Sequence, residues 1–252
     1  MSYGISNNCK PLRHAALLCF LIVIGLSVLH TSFAASQSIN VYLKLKPQNR
    51  VANLIYNFNQ FIQKQQIFST YQFNPFNKKY PLHATLYLTE YNSKKIPIIV
   101  QQVEAMAKYQ RIIPIKSLEF NVNDSGYVML TVQQNQELRI LSDVAVDTLA
   151  YLRDKKAKIP GWAANDSARQ DLFQQFGSPN VRDHFNPHFS VFDPAHLSAK
   201  AKAELSAQLQ TLIKRYKATH STQVEASANT LAVGIANSQG QIIKEIASFP
   251  LN

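Results

Sequence analysis

Cysteine is scarce in this chain of 252 residues, and its two copies, Cys9 and Cys19, both fall within the first 34 positions. The remaining sequence therefore has no disulfide, no free thiol and no cysteine ligand for a metal. A domain without disulfides must depend on a hydrophobic core, and residues 35–252 are numerous enough to build one in a single domain.

Acidic residues are also few. Asp and Glu number 15 against 26 Lys and Arg, which gives a formal net charge of +11. A basic balance favours anionic partners such as phosphate esters, nucleic acid or an anionic membrane surface, and surface charge for solubility explains any single lysine equally well. The carboxylates form no cluster with histidine at metal-ligand spacing, so we predict neither a metal nor a cofactor.

The N-terminal segment has the features of a targeting signal. Lys10 and Arg13 make a basic start, and the apolar run 15–29 is short for a transmembrane span. Ser32-Phe33-Ala34 then supplies small residues where a signal peptidase cleaves. We predict a signal peptide over residues 1–34, export to the periplasm or secretion, and no stable membrane insertion after cleavage. An uncleaved membrane anchor is the weaker alternative.

Hydrophobic spacing in the remaining chain predicts an alternation of strands and helices. The predicted strands lie near 38–45, 81–90, 114–122, 126–133, 187–193, 221–228, 230–236 and 241–248. The predicted helices lie near 48–65, 97–109, 135–154, 166–177 and 198–217. An irregular insertion occupies about 155–185, and 67–80 is predicted as a loop. Strand, helix and hairpin follow one another after residue 83 and again after residue 188, which indicates two similar lobes in one domain.

A four-residue motif occurs once in each of these lobes. It reads His83-Ala84-Thr85-Leu86 in the first and His188-Phe189-Ser190-Val191 in the second. Each copy is histidine, apolar, hydroxyl, apolar, and each lies in a predicted strand. Because strand side chains alternate between faces, each histidine shares a face with its hydroxyl, about 7 Å away. If the lobes face each other, two imidazoles and two hydroxyls surround one small anion.

These four groups are the ones that cleavage of a phosphodiester needs. One histidine can take a proton from water, the other can protonate the leaving oxygen, and hydroxyls can bind the non-bridging oxygens. The ordinary pKa of imidazole lets one histidine be neutral while the other is cationic near neutral pH. A single tetrad is more often a solvated or core histidine, but two copies are rarely a coincidence.

At the two tetrads the chain resembles the two-histidine (2H) phosphoesterase superfamily, which includes bacterial RNA 2′,3′-cyclic phosphodiesterases of the 2′-5′ RNA ligase type. Both copies match the family motif, and the opening segment 38–47 with its following helix is similar to the start of that fold. The resemblance implies a bilobal, pseudo-duplicated α+β fold, with two antiparallel-rich sheets flanking a central cleft and helices outside. It further implies His83 as general acid, His188 as base, and Thr85 and Ser190 as phosphate-binding residues.

Other side chains are candidates for substrate contact. Tyr80 and Trp162 could stack on a base, and Arg182 could meet a flanking phosphate. Further candidates are Phe185, Lys79 and the basic cluster at 153–158. For each of them, a core aromatic or a solvated surface charge is the ordinary alternative.

The sequence thus favours an exported, metal-independent phosphoesterase, a monomer acting on 2′,3′-cyclic phosphate ends of RNA or on small nucleotide phosphodiesters. Two alternatives stay open. One is a non-catalytic nucleotide- or RNA-binding module with the same cleft. The other is a structural or adhesive secreted protein, which requires the two histidines to lie far apart.

Overall fold

The first strand, β1, shows how the chain covers both faces of its sheet. The computed structural model describes residues 1–4 and 35–252, and all that follows concerns residues 35–252. In β1 (Ser36–Leu45), Ile39, Val41 and Leu43 point to one face and are fully buried, as strand alternation predicts. Asn40 and Tyr42 occupy the opposite face and are equally buried. The predicted signal peptide lies outside the described residues, apart from Met1 to Gly4.

The remaining elements follow the predicted alternation. They are α1 (Arg50–Lys64), α2 (Ile67–Thr70), β2 (Ala84–Asn92), α3 (Ile96–Tyr109), β3 (Ile113–Val122), β4 (Val128–Val132), α4 (Gln136–Leu149), α5 (Ser167–Phe176), β5 (His188–Phe192), α6 (Ala199–Thr219), β6 (Glu225–Ala236) and β7 (Ile242–Pro250).

The described strands form one seven-stranded antiparallel sheet in the order β2-β1-β6-β3-β4-β5, and β7 also pairs with β6. Strand β6 is the branch point of the sheet. It pairs with β1 along one side, while β3 pairs with its first residues and β7 with residues from Thr230 onward. Strand β3 then continues to pair with β4. We call β2, β1, β6 and β7 the His83 half and β3, β4 and β5 the His188 half. The α+β class and the antiparallel sheet are confirmed.

Helices pack on this sheet through large apolar side chains. Phe58 of α1 stacks on Phe120 of β3 with ring centroids 3.9 Å apart, and Tyr216 of α6 lies edge-on to both rings. Stacked and edge-to-face aromatic pairs of this kind bury much apolar surface and fix the relative position of the elements that carry them. Helix α4 is tied to β2 by a buried hydrogen bond from Ser142 Oγ to the Leu86 carbonyl, 2.9 Å long.

The insertion contains the short helix that its end residues predict. The Asp166 side chain accepts from the Arg169 N–H at the N-terminus, and Gly177 ends α5 in the left-handed conformation, with φ +75°. The end of α5 is attached to β2, because Tyr87 Oη donates to the Phe176 carbonyl and Thr89 Oγ1 donates to the Gly177 carbonyl at 2.6 Å.

Three boundary predictions are wrong. The strands predicted at 221–228 and 230–236 are one continuous strand, β6, because the carbonyl of Asn229 is bonded by the Leu251 N–H within the sheet, so this residue does not form a turn. The segment predicted as a loop at 67–80 contains α2 and a 3-10 turn at Phe76–Lys78. The helix predicted to reach 154 ends as α4 at Leu149. Tertiary pairing outweighs local propensity at such positions.

Within the described part of the chain, no helix has the length and apolar character needed to cross a membrane.

Candidate active site

His83 is held immediately before β2. Its side chain is 5% exposed, and its Nδ1 lies 3.0 Å from the Pro81 carbonyl oxygen. A carbonyl only accepts, so Nδ1 carries the hydrogen and the neutral ring keeps Nε2 as its acceptor. The Tyr42 ring of β1 meets the imidazole edge-on at 5.4 Å between centroids.

His188, at the start of β5, is held in the same way. Its Nδ1 lies 2.7 Å from the carbonyl oxygen of Asn186, again the residue two positions earlier. Nε2 is thereby directed away from the backbone and lies 3.4 Å from the phenolic oxygen of Tyr127. In the neutral ring of both histidines, Nε2 is therefore the acceptor nitrogen.

Burial and neighbouring groups shift the pKa of both imidazoles. Burial lowers the pKa of His83 below its ordinary value of 6.5, and a positive charge on His188 lowers it further, while the Pro81 and Gly240 carbonyls act in the opposite direction. Burial likewise lowers the pKa of His188, opposed by the Asn186 carbonyl. His83 immediately precedes β2 and His188 begins β5, and these two strands are in contact.

Each tetrad hydroxyl lies on the same side of its strand as its histidine, as strand alternation requires. Thr85 is paired opposite Tyr42, the residue whose ring meets His83. Ser190 is hydrogen-bonded to the Tyr127 hydroxyl, which also faces His188. Within each half, the structure therefore groups the histidine with its hydroxyl, through Tyr42 in the first and Tyr127 in the second.

A β-bulge falls at the same position in both tetrads. In β2, Thr85 pairs with Tyr42 and Tyr87 pairs with Val41, so Leu86 has no partner. The same shift in β5 leaves Val191 unpaired, between the pairs of Ser190 with Met129 and of Phe192 with Val128. A bulge changes which face the following residues occupy and is common beside active sites. The duplication is thus visible in backbone geometry as well as in element order.

The sequence did not identify Asn40 and Tyr127. Asn40 Nδ2 donates to Thr85 Oγ1 at 2.8 Å and lies 3.3 Å from the Gly240 carbonyl oxygen. Tyr127 immediately precedes β4, the strand that carries Ser190's partner. A polar residue between Ile39 and Val41 in a buried strand is a signal in the sequence, whereas nothing in the sequence singles out Tyr127.

The turn between β6 and β7 closes the site on one side. Gly240 lies in this turn with φ +76°, and its carbonyl faces both Asn40 and His83. Gln239, in the same turn, donates to the Asp193 carboxylate at 3.0 Å, which links the turn to the residue following β5. This hydrogen bond joins the two halves of the sheet next to the histidines.

Of the candidate substrate contacts, Tyr80 is linked to the tetrads through neighbouring side chains. Its hydroxyl is 3.4 Å from Asn237 Nδ2 in the β6–β7 turn, and its ring meets Phe76, which in turn packs against Tyr127. These rings form an aromatic row leading towards His188. Lys79 lies over the Tyr80 ring, 5.3 Å from its centroid.

The other candidate contacts are engaged elsewhere. The Arg182 guanidinium pairs with Asp143 and Asp147 of α4 and lies over the Phe176 ring. Trp162 is 62% exposed, and the Arg169 guanidinium lies over one face of its ring, 5.4 Å from the centroid. The interactions described for two further candidates are structural. Phe185 is buried in the core, and Arg153 bonds the carbonyls of Ala150 and Gln174.

Among residues 1–4 and 35–252, no three His, Cys, Asp or Glu side chains come together in a group that could hold a metal ion.

Comparison with known proteins finds similarity in structure alone. No family model and no curated protein matches the sequence. TT0787 of Thermus thermophilus superposes with a TM-score of 0.50 at 12% identity, over 85% of this chain and 97% of that one. Escherichia coli LigT complexed with NADP+ gives 0.47 at 11% identity, over 86% and 99%. Kluyveromyces marxianus Usb1 gives 0.47 at 15%, over 85% and 98%. At 12% identity the similarity to TT0787 shows that the two chains share a fold.

Proposed function

We propose that the protein is an exported, metal-independent phosphoesterase that hydrolyses 2′,3′-cyclic phosphate ends of RNA or small nucleotide phosphodiesters. One observation carries the proposal: two imidazoles each have Nδ1 bound to a carbonyl two residues earlier, which leaves Nε2 as the acceptor of the neutral ring, and each has a hydroxyl on the same side of its strand. This is a symmetric arrangement for holding one phosphate between a proton acceptor and a proton donor.

The reaction needs one neutral and one protonated histidine. Nε2 of the neutral imidazole takes a proton from water, and the water oxygen forms a bond to phosphorus. The bond from phosphorus to one ribose oxygen breaks, and the protonated imidazole delivers its proton to that oxygen. For a 2′,3′-cyclic phosphate the product is a phosphomonoester. A positive charge on His188 lowers the pKa of His83, which favours a state in which the pair carries a single proton.

Thr85 and Ser190 would bind the non-bridging oxygens of the phosphate, where negative charge increases during the attack. Donors placed beforehand at such oxygens lower the barrier because they need no reorganisation. We further propose that Tyr80 stacks on the base of the substrate, since it lies at the edge of the site in the aromatic row described above. We assign no substrate contact to Trp162 or Arg182.

The direct test is hydrolysis of adenosine 2′,3′-cyclic monophosphate by the purified protein in EDTA, followed by chromatography of the product. The proposal predicts turnover that EDTA does not reduce. Tight binding of the nucleotide with no product after long incubation would instead establish the alternative of a binding module. Turnover that EDTA abolishes and a divalent ion restores would contradict the metal-independent mechanism.

Export rests on residues 1–34 alone and has its own test. N-terminal sequencing of protein recovered from outside the cytoplasm should read Ala35 first. A mature protein that retains residues 1–34 would contradict cleavage after Ala34.

A further inference from the structure

Each tetrad hydroxyl has a polar neighbour at an equivalent position on the adjacent strand. In the His83 half, Thr85 pairs with Tyr42, and Asn40 precedes that partner by two residues. In the His188 half, Ser190 pairs with Met129, and Tyr127 precedes that partner by two residues. The matching bulges bring both side chains back to their hydroxyls. Asn40 is bonded to Thr85, and Tyr127 is bonded to Ser190.

The direction of the hydrogen bond at Thr85 follows from the groups around Asn40. The amide nitrogen lies 2.8 Å from Thr85 Oγ1 and 3.3 Å from the Gly240 carbonyl oxygen. A carbonyl can only accept, so the group facing it is the NH2, and the amide donates to Thr85. The hydroxyl of Thr85 accepts this bond, and its own hydrogen is left for another acceptor.

The direction at Ser190 follows from the chemistry of Tyr127. Burial raises the pKa of Tyr127 to about 12, and the negative charge of Asp193 contributes to the increase. The phenol therefore keeps its hydrogen at neutral pH. Either oxygen of the contact between Tyr127 and Ser190 can be the donor. A protonated His188, whose Nε2–H donates to the phenolic oxygen 3.4 Å away, selects the direction in which the phenol donates to Ser190. In that protonation state the Ser190 hydrogen, like that of Thr85, is left for a further acceptor.

Asn40 occupies its position at a cost to the fold. The residue is fully buried in β1, and its Oδ1 has no hydrogen-bond partner among residues 35–252. A buried acceptor without a partner destabilises a folded protein, and such exceptions call for a functional explanation. An apolar residue like its neighbours Ile39 and Val41 would avoid that cost, so the amide is explained by what its NH2 group does at Thr85 and Gly240.

We infer that Asn40 and Tyr127 are a matched pair of positioning residues, each donating to one tetrad hydroxyl so that the hydroxyl donates its own hydrogen to the substrate phosphate. Asn40 acts through Thr85 alone, whereas the Tyr127 hydroxyl also lies 3.4 Å from Nε2 of His188, so the cycle with Ser190 separates its action through the hydroxyl from any action through the imidazole. The inference rests on the proposed function, because it requires a phosphate between the two tetrads.

Double-mutant cycles test it, with kcat/KM for the cyclic phosphate and the inhibition constant of inorganic phosphate as readouts. Tyr127→Phe keeps the ring and removes the donor. We expect it to weaken both quantities about tenfold, as Ser190→Ala should, with no further loss when the two are combined. Tyr127→Phe and Thr85→Val lie in different halves, so their separate losses should multiply to a loss of about a hundredfold in the double variant. Tyr109→Phe, at an 82% exposed tyrosine, is the matched control and should change neither quantity.

Asn40→Asp supplies the second arm, because an ionised carboxylate accepts the Thr85 hydrogen instead of donating to the hydroxyl. Asn40→Asp should lower kcat/KM as much as Thr85→Val does, and the double variant of Asn40→Asp with Thr85→Val should show no further loss. If Asn40→Asp does not fold, the Tyr127 cycles decide. The inference is overturned if the losses of Tyr127→Phe and Ser190→Ala, or of Asn40→Asp and Thr85→Val, multiply in the double variant. It is also overturned if Tyr127→Phe changes neither quantity. Neither result affects the proposed function, provided that the wild type hydrolyses the ester. A wild-type protein that neither hydrolyses the ester nor binds phosphate overturns the proposed function, and the inference with it.

Discussion

The tautomer of each neutral histidine is set by one backbone carbonyl. In both tetrads the acceptor is the carbonyl two residues before the histidine, Pro81 for His83 and Asn186 for His188. This contact fixes the neutral tautomer without any neighbouring carboxylate, which the sequence of neither tetrad supplies. Burial is therefore the main influence on the pKa of both histidines, and it lowers the pKa of each.

The pH profile of the reaction should show this tuning. Burial lowers the pKa of both His83 and His188 below 6.5, so the state with one proton is populated at a pH below that value. We expect kcat/KM for a 2′,3′-cyclic phosphate to be bell-shaped with a maximum on the acidic side of pH 6.5. A profile that rises through pH 7 to an alkaline plateau would contradict a reaction that needs one protonated histidine.

Within the elements, the bulges decide which side chains meet. Strand alternation correctly places Thr85 with His83 and Ser190 with His188, so the four motif residues could be predicted from sequence. The partners Asn40 and Tyr127 could not, because their approach depends on the register shifts at Leu86 and Val191. Nothing in the composition of either tetrad marks those shifts.

The ends of helix α5 can be predicted from Asp166 and Gly177 in the sequence. The attachment of this helix to β2 leads to a prediction about stability. A Cβ at Gly177 would lie 2.5 Å from Thr89 Oγ1 and 2.6 Å from Cδ of Arg153, at φ +75°. Gly177→Ala should therefore lower the free energy of unfolding by about 2 kcal/mol or more.

Gly161→Ala is the matched control, since a Cβ there meets no atom of the described residues within 4 Å. Urea denaturation should show a change within about 0.5 kcal/mol for this variant. Equal stability of the two variants would show that the end of α5 is not held against β2 as described.

At the scale of the whole molecule, the sequence predicts two similar lobes but not how they join. The repeated order of strand, helix and hairpin is visible in the hydrophobic pattern. The branch at β6, where β3 and β7 share one side of a single strand, is not, because pairing between distant strands leaves no local signal. The misplaced break at Asn229 in β6 lies next to this branch.

Stability of the whole fold should depend on pH through His83. Its pKa is lowered in the folded state, so the unfolded chain binds more protons below the ordinary pKa of 6.5. The stability contributed by the neutral ring is present above pH 6.5 and is lost as the pH falls towards the folded pKa.

We therefore expect the melting temperature of the wild type to fall between pH 7.5 and 5.5, and to fall less in His83→Gln. His196, an exposed histidine bonded to the Tyr71 carbonyl, provides the control. His196→Gln should retain the wild-type dependence. A wild-type slope in His83→Gln would contradict a neutral, buried His83.

The central claim is that both histidines act on one phosphate, and kcat/KM for adenosine 2′,3′-cyclic monophosphate in EDTA tests it most directly. We predict that His83→Ala and His188→Ala, each folded as judged by circular dichroism, lose about 10²- to 10⁴-fold, and that the double variant has no turnover above background. Turnover in the double variant equal to that of the wild type would contradict the account.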